Sequence, residues 1–140
     1  MEDKQKTPGE KRLQSHEEKR KYPRIVVERP VTLLLSNAKT VKALAYDISP
    51  DGIQIRCDQK AVALLKPKGQ ELKKGEVTEL GISLMLPLDG KQEKVVVRCK
   101  LVYIVTLEED KYAIGIHFTK IIGESKKILK RFIESSLEPE

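Results

Sequence analysis

The 140-residue chain contains no tryptophan, two cysteines and two histidines, and only 4% of its residues are aromatic. Each scarcity excludes a class of function. His16 and His117 are far apart in sequence and stand at no metal-ligand spacing from Cys57 or Cys99, so structural zinc is ruled out. The chain also offers no His/carboxylate cluster and no nucleophile elbow, the equipment that phosphodiester hydrolysis or acyl transfer requires, so it reads as a non-enzyme. Scarce aromatics leave few stacking platforms for single-stranded nucleic acid, and DNA or RNA is not an expected partner even at a pI near 9.3. Long apolar runs are missing too. The best stretch, residues 81–88, is interrupted by Ser83 and Pro87 and falls short of the roughly 20 residues that a membrane-spanning helix needs. The opening MEDKQKTPGEKRLQSHEEKR mixes both charge signs without an apolar h-region, so it is neither a secretory signal nor a transit peptide, and the expected location is the cytoplasm.

What is present describes one domain. With 27 Lys+Arg against 21 Asp+Glu the formal charge is +6, and 39% of the residues are hydrophobic. A chain of this length buries roughly two-thirds of its unfolded surface, enough for one core without disulfide or metal staples. Residues 1–18 have Leu13 as their only large aliphatic residue after Met1, and they read as a flexible charged arm; residues 19–137 read as the folded domain. Cys57 and Cys99 each continue an apolar alternation, which suits two reduced core thiols.

From Ile25 onward, short Val/Ile/Leu-rich runs separated by turn residues predict six strands: 25–35, 41–48, 53–57, 80–86, 94–105 and 112–118. Pro30 marks a bulge or an edge in the first, because proline cannot donate to a ladder. Ser49-Pro50-Asp51-Gly52 is a turn cluster, and Asp89-Gly90 is a hairpin signal. In the third strand, Ile53, Ile55 and Cys57 alternate with Gln54 and Arg56, which predicts one wet face. Residues 61–65 suit a short helix within an otherwise loop-like 60–79. Residues 123–137 form the one convincing amphipathic helix, with Ile128, Leu129, Phe132 and Ile133 on one stripe. The fold class is therefore all-β with a C-terminal helix, a six-stranded antiparallel β-barrel, because closure removes exposed edges.

Two clusters carry the candidate chemistry. Arg20 and Arg24, spaced by four, offer planar donors for phosphate oxygens or for the O6/N7 edge of guanine. Asp47 is an acceptor suited to a base's N–H groups, Ser49 adds a small hydroxyl, and Gly52 allows close backbone approach. Read alone, the first cluster is a solvated basic stretch and the second an ordinary turn in which Gly52 permits positive φ. Tyr22 suits packing at a domain edge or a purine stack. Arg56 either adds charge beside the turn or faces solvent, and His117 is assigned no role.

Together, Arg20xxxArg24 and Asp47xSer49xxGly52 resemble the paired signature of the PilZ domains, bacterial receptors for cyclic di-GMP. The resemblance spans about residues 19–135, and residues 112–118 (YAIGIHF) look like that family's Gly-centred last strand. It implies a PilZ-like barrel that binds cyclic di-GMP through Arg20, Arg24, Asp47, Ser49 and Gly52, with Lys19, Lys21 and Arg56 as additional candidates and no cofactor besides that ligand. Ordering of the N-terminal segment would relay binding to a downstream protein partner. Lys19 occupies the position that in this family influences whether one nucleotide or an intercalated pair binds, which leaves stoichiometry open. The alternative is a nucleotide-independent PilZ-type adaptor.

Overall fold

Strand order is set by pairings between distant parts of the chain. In a computed structural model that describes residues 24–67 and 77–137, the elements run β1 (Ile25–Leu34), β2 (Thr40–Ser49), β3 (Gly52–Cys57), α1 (Gln59–Leu65), β4 (Glu79–Leu88), β5 (Lys91–Glu108), β6 (Lys111–Ile121) and α2 (Ser125–Leu137). The expected arm of residues 1–18, and also Lys19, Arg20, Lys21 and Tyr22 of the expected domain, lie outside the described residues. All six strands pair antiparallel in the order β1-β2-β3-β6-β5-β4, and β4 returns to β1. The returning ladder is short: it joins Val31–Leu34 to Leu84–Gly81 and goes no further.

Alternation decides which face is inside. Val31 and Leu33, Ile53 and Ile55, Ile82, Leu84 and Leu86, Val95 and Val97, and Ile114 and Ile116 all point inward and are essentially unexposed. β-branched side chains dominate this set, as expected for residues packed on a pleated surface. The expected two-residue hairpin forms at Asp89 and Gly90, whose φ values of 55° and 78° match the twist of the flanking strands. β5 is longer than its apolar pattern suggests, because its ladder with β6 continues to Glu108↔Lys111 through residues with no inward-facing period. Register shifts at Arg98/Cys99, Leu101/Tyr103 and Thr106/Glu108 bend this long strand around the core.

Pro30 is not itself the bulge. The irregularity falls at Val27 and Glu28, where Glu28 has φ 46°, while Pro30 still faces Leu44 on β2 and lies one residue beyond the last β1–β4 pair. α1 starts where Asp58 accepts from the Ala61 N–H at 2.9 Å, a side-chain cap for an otherwise orphaned donor. α2 packs on β4 and β5 with Leu129, Phe132 and Ile133 in the core. It is tied at its start by the Val96 N–H donating to Ser125 Oγ at 2.8 Å, and along its length by Arg131 on Asp89. No helix among the described residues is long and apolar enough to cross a membrane.

Both thiols are free, and burial pushes each up to about 12, so both stay protonated at neutral pH. A folded-state value above the ordinary 9.0 means that stability is retained below pH 9 and lost as pH climbs toward 12. The urea midpoint is therefore expected to fall between pH 8 and pH 10 by more in the wild type than in Cys99→Ala. Deleting a core methyl cluster with Ile114→Ala is expected to cost about 2–5 kcal/mol, against about 0.5 kcal/mol or less for the exposed Lys94→Ala, as read from chemical denaturation.

Candidate functional site

One row of paired residues crosses five strands on the outer face. Val26 on β1 faces Asp47 on β2, Asp47 faces Gln54 on β3, Gln54 faces Gly115 on β6, and Gly115 faces Tyr103 on β5. Paired residues of an antiparallel ladder share a face, so these side chains lie together opposite the Ile48/Ile53/Ile116 row inside. The expectation that Gln54 and Arg56 stand on a wet face is wrong for Gln54, which is only 2% exposed. Arg56 of its own strand and Tyr103 of β5 hydrogen-bond its side chain, which satisfies the buried amide.

Arg24 immediately precedes β1 and reaches the start of this row. Its Nε donates to Asp47 Oδ1 at 2.7 Å, with both side chains only 5% exposed. The sequence places these two residues in different clusters, 23 positions apart; the β1–β2 ladder brings them together because Val26↔Asp47 is in register. Ser49, fully buried, donates to Asp51 Oδ1 at 2.6 Å within the turn. Gly52 is needed for a different reason from the one expected. It does not adopt positive φ; a Cβ there would stand 2.5 Å from the Ile116 carbonyl oxygen, so glycine is what lets β3 approach β6. Arg20, Lys19 and Lys21 fall outside the described residues.

Tyr46, Gln54 and Tyr103 of this face escaped sequence reasoning, and they surround Arg56, which it offered as an additional candidate. The Arg56 guanidinium lies 3.8 Å from the centre of the Tyr46 ring, a cation–π stack, and its Nε donates to Gln54 Oε1 at 2.8 Å. Gln54 Nε2 in turn hydrogen-bonds the Tyr103 hydroxyl at 3.2 Å. Tyr103 lies flat over Gly115, where a Cβ would come within 2.1 Å of the phenol ring. The signal available in the sequence was Gly115 itself, a glycine on the outer side of an otherwise bulky strand. Its partner was hidden by the register shift between Leu101 and Tyr103.

The result is a continuous polar strip: a buried carboxylate and guanidinium at one end, then an amide, a second guanidinium stacked on one tyrosine, and a second tyrosine. Such a strip offers planar donors and acceptors beside aromatic rings, the chemistry that recognises an anionic, base-bearing ligand. Among the described residues no group of His, Cys, Asp and Glu is placed to hold a metal ion.

The architecture is thus an antiparallel six-stranded sheet with a C-terminal helix and a polar strip on its outer face. The family model of the PilZ domain matches residues 18–135, and the chain belongs to the PilZ domain family. No curated protein sequence matches it. Among solved structures it is similar to the inhibitor of motility MotI/DgrA of Bacillus subtilis (TM-score 0.61, 17% identity, 84% of this chain and 50% of that one). It is also similar to the PilZ domain with c-di-GMP of YcgR from Escherichia coli (TM-score 0.53, 19% identity, 84% and 90%). A third is the Borreliella burgdorferi PlzA protein in complex with c-di-GMP (TM-score 0.53, 12% identity, 94% and 60%). At these identities the likeness is one of fold, and the chain spans half the length of the motility inhibitor.

Gly115→Ala is expected to lift Tyr103 off the sheet and break its bond to Gln54, destabilising the domain by about 1–3 kcal/mol. The same substitution made in a Tyr103→Ala background should cost much less. Equal costs in the two backgrounds, from thermal unfolding, would show that the ring does not rest on Gly115.

Proposed function

We propose that this protein is a non-enzymatic receptor for cyclic di-GMP, with residues 19–137 forming a β-barrel binding domain. The observation that carries the reading is the Arg24–Asp47 contact, which joins one member of each signature half on the outer face. Family membership supports it, as do two neighbours of the same fold whose structures contain c-di-GMP.

Each residue has a chemical task in this reading. Asp47, an acceptor only, takes the N1–H and N2–H donors of a guanine. Arg20 and Arg24 supply planar donors to phosphate oxygens and to the guanine O6/N7 edge. Ser49 and Gly52 shape the turn beneath the ligand, while Lys19, Lys21 and Arg56 add positive charge at its margin. Because Arg24 already occupies Asp47, binding exchanges that ion pair for contacts of each partner with the nucleotide. The segment from Lys19 to Arg24 then closes over the ligand and presents a new surface to a downstream protein, an order–disorder relay. The receptor works in the cytoplasm.

One observation favours a second reading, a nucleotide-independent adaptor. Asp47 and Ser49 are 3% and 0% exposed and already have partners within the chain. Isothermal titration separates the two. Cyclic di-GMP is expected to bind the wild type saturably, at micromolar affinity or tighter, with GMP as the non-binding control. Arg24→Ala and Ser49→Ala should weaken binding at least tenfold while circular dichroism shows a folded sheet. A flat titration of folded wild type, or variants that bind as it does, would favour the adaptor.

A further inference from the structure

A second surface lies on the other side of Pro50, the proline of the signature turn. Between that turn and α2 runs a groove of about 380 Å³. Its helix side is built of two parallel rows, each at i, i+4, i+8 spacing. The inner row is Leu129, Ile133 and Leu137; the outer row is Lys126, Lys130 and Glu134. Pro50 and Ile121 form the facing wall. Eight residues of helix rise about 12 Å, so the groove accommodates roughly two turns of a second helix laid along α2.

The groove is preformed. Leu129 and Ile133 make its floor at 2% and 4% exposure, and Leu137 at the open end is 51% exposed. α2 is held from behind by Ser125 on Val96 and Arg131 on Asp89, neither of which faces the groove. Lys120, just beyond Ile121, extends the positive rim.

Charge decides what fits. The chain's own residues 1–23 carry seven Lys and Arg against five Asp and Glu, with Leu13 as the one large aliphatic residue after Met1, so they match neither the lysines nor the apolar floor. A second copy's α2 is equally unsuitable, since its Lys126, Lys127, Lys130 and Arg131 outnumber Glu134 and would repel the rim. A bilayer surface requires a protruding apolar face, whereas these apolar residues are recessed between a helix and a turn.

We propose that the groove between α2 and Pro50 docks a short amphipathic helix of a protein partner, apolar along one stripe, acidic where it passes Lys126 and Lys130, and basic opposite Glu134. This is helix-in-groove recognition, in which the stripe supplies affinity and the flanking charges set direction. The inference does not rest on nucleotide binding, although the two surfaces share the β2–β3 turn.

The test uses the full-length protein and two fluorescein-labelled helical peptides with leucines at i, i+4 and i+7. One carries glutamates at the end facing Lys126 and Lys130 and lysine at the other; its companion has the charges exchanged. Fluorescence anisotropy at low salt is expected to show the wild type binding the first peptide about tenfold more tightly than the second, with the preference shrinking as salt rises. The double variant K126E/K130E changes only exposed side chains and should reverse the preference; Leu137→Asp should abolish binding of both peptides. Circular dichroism checks that the variants are folded. No saturable binding by the wild type, or equal binding of both peptides that K126E/K130E leaves unchanged, overturns the proposal. So does binding to vesicles of anionic phosphatidylglycerol that Leu137→Asp weakens while neither peptide binds, which would make the groove a membrane contact.

Discussion

Everything in this fold depends on four residue pairs. Among the described residues, the β1–β4 ladder from Val31↔Leu84 to Leu34↔Gly81 is what returns the sheet to its starting strand, and Val31, Leu33, Ile82 and Leu84 are buried in the interior. The bulge at Val27 and Glu28 divides β1 into two working halves. The second half closes the ring. The first half, released from β4, leans with β2 and carries Arg24 onto Asp47. Core and candidate site are thus two ends of one strand.

The buried ion pair at that site is a constraint as much as a source of stability. Removing either partner strands a desolvated charge, at a cost of about 3–5 kcal/mol, whereas the intact pair adds little net stability over an apolar replacement. Such a pair is poorly explained as a structural device alone. In the receptor reading proposed above, the two are recognition groups that neutralise each other until a ligand offers equivalent contacts. In the Arg56–Gln54–Tyr103 chain beside it, the members fix one another's orientation on the outer face without contributing to the interior packing.

Much of the architecture was legible in the sequence because its physics is periodic. Strands β2, β3, β4 and β6 announce themselves through alternating Ile, Val and Leu, and α2 through its stripe; Asp89-Gly90 names its own turn. Lost were features that depend on register. Gln54 looks solvent-facing by alternation, and only the ladder reveals that the Tyr103 hydroxyl bonds its amide. Gly52 looks like a turn residue, yet its missing side chain accommodates the backbone of a strand more than sixty residues away. The ends of β5 were missed because exposed ladder residues leave no hydrophobic period. Motif spacing singled out Arg24 and Asp47 as candidates, while their contact emerged only from the fold.

The short closing ladder also leaves something open. Beyond Val31 and Leu84, the stretches 25–30 of β1 and 85–88 of β4 make no ladder pairs with each other, and Val26 and Met85 are exposed. An unpaired edge of this kind invites another chain to add a strand. Here the invitation is refused on both sides: Pro30 and Pro87 have no N–H to give, and Glu28 puts a charge on a left-handed kink between Val26 and Pro30. The seam can therefore stay parted beside the candidate site without turning the protein into a template for its own aggregation.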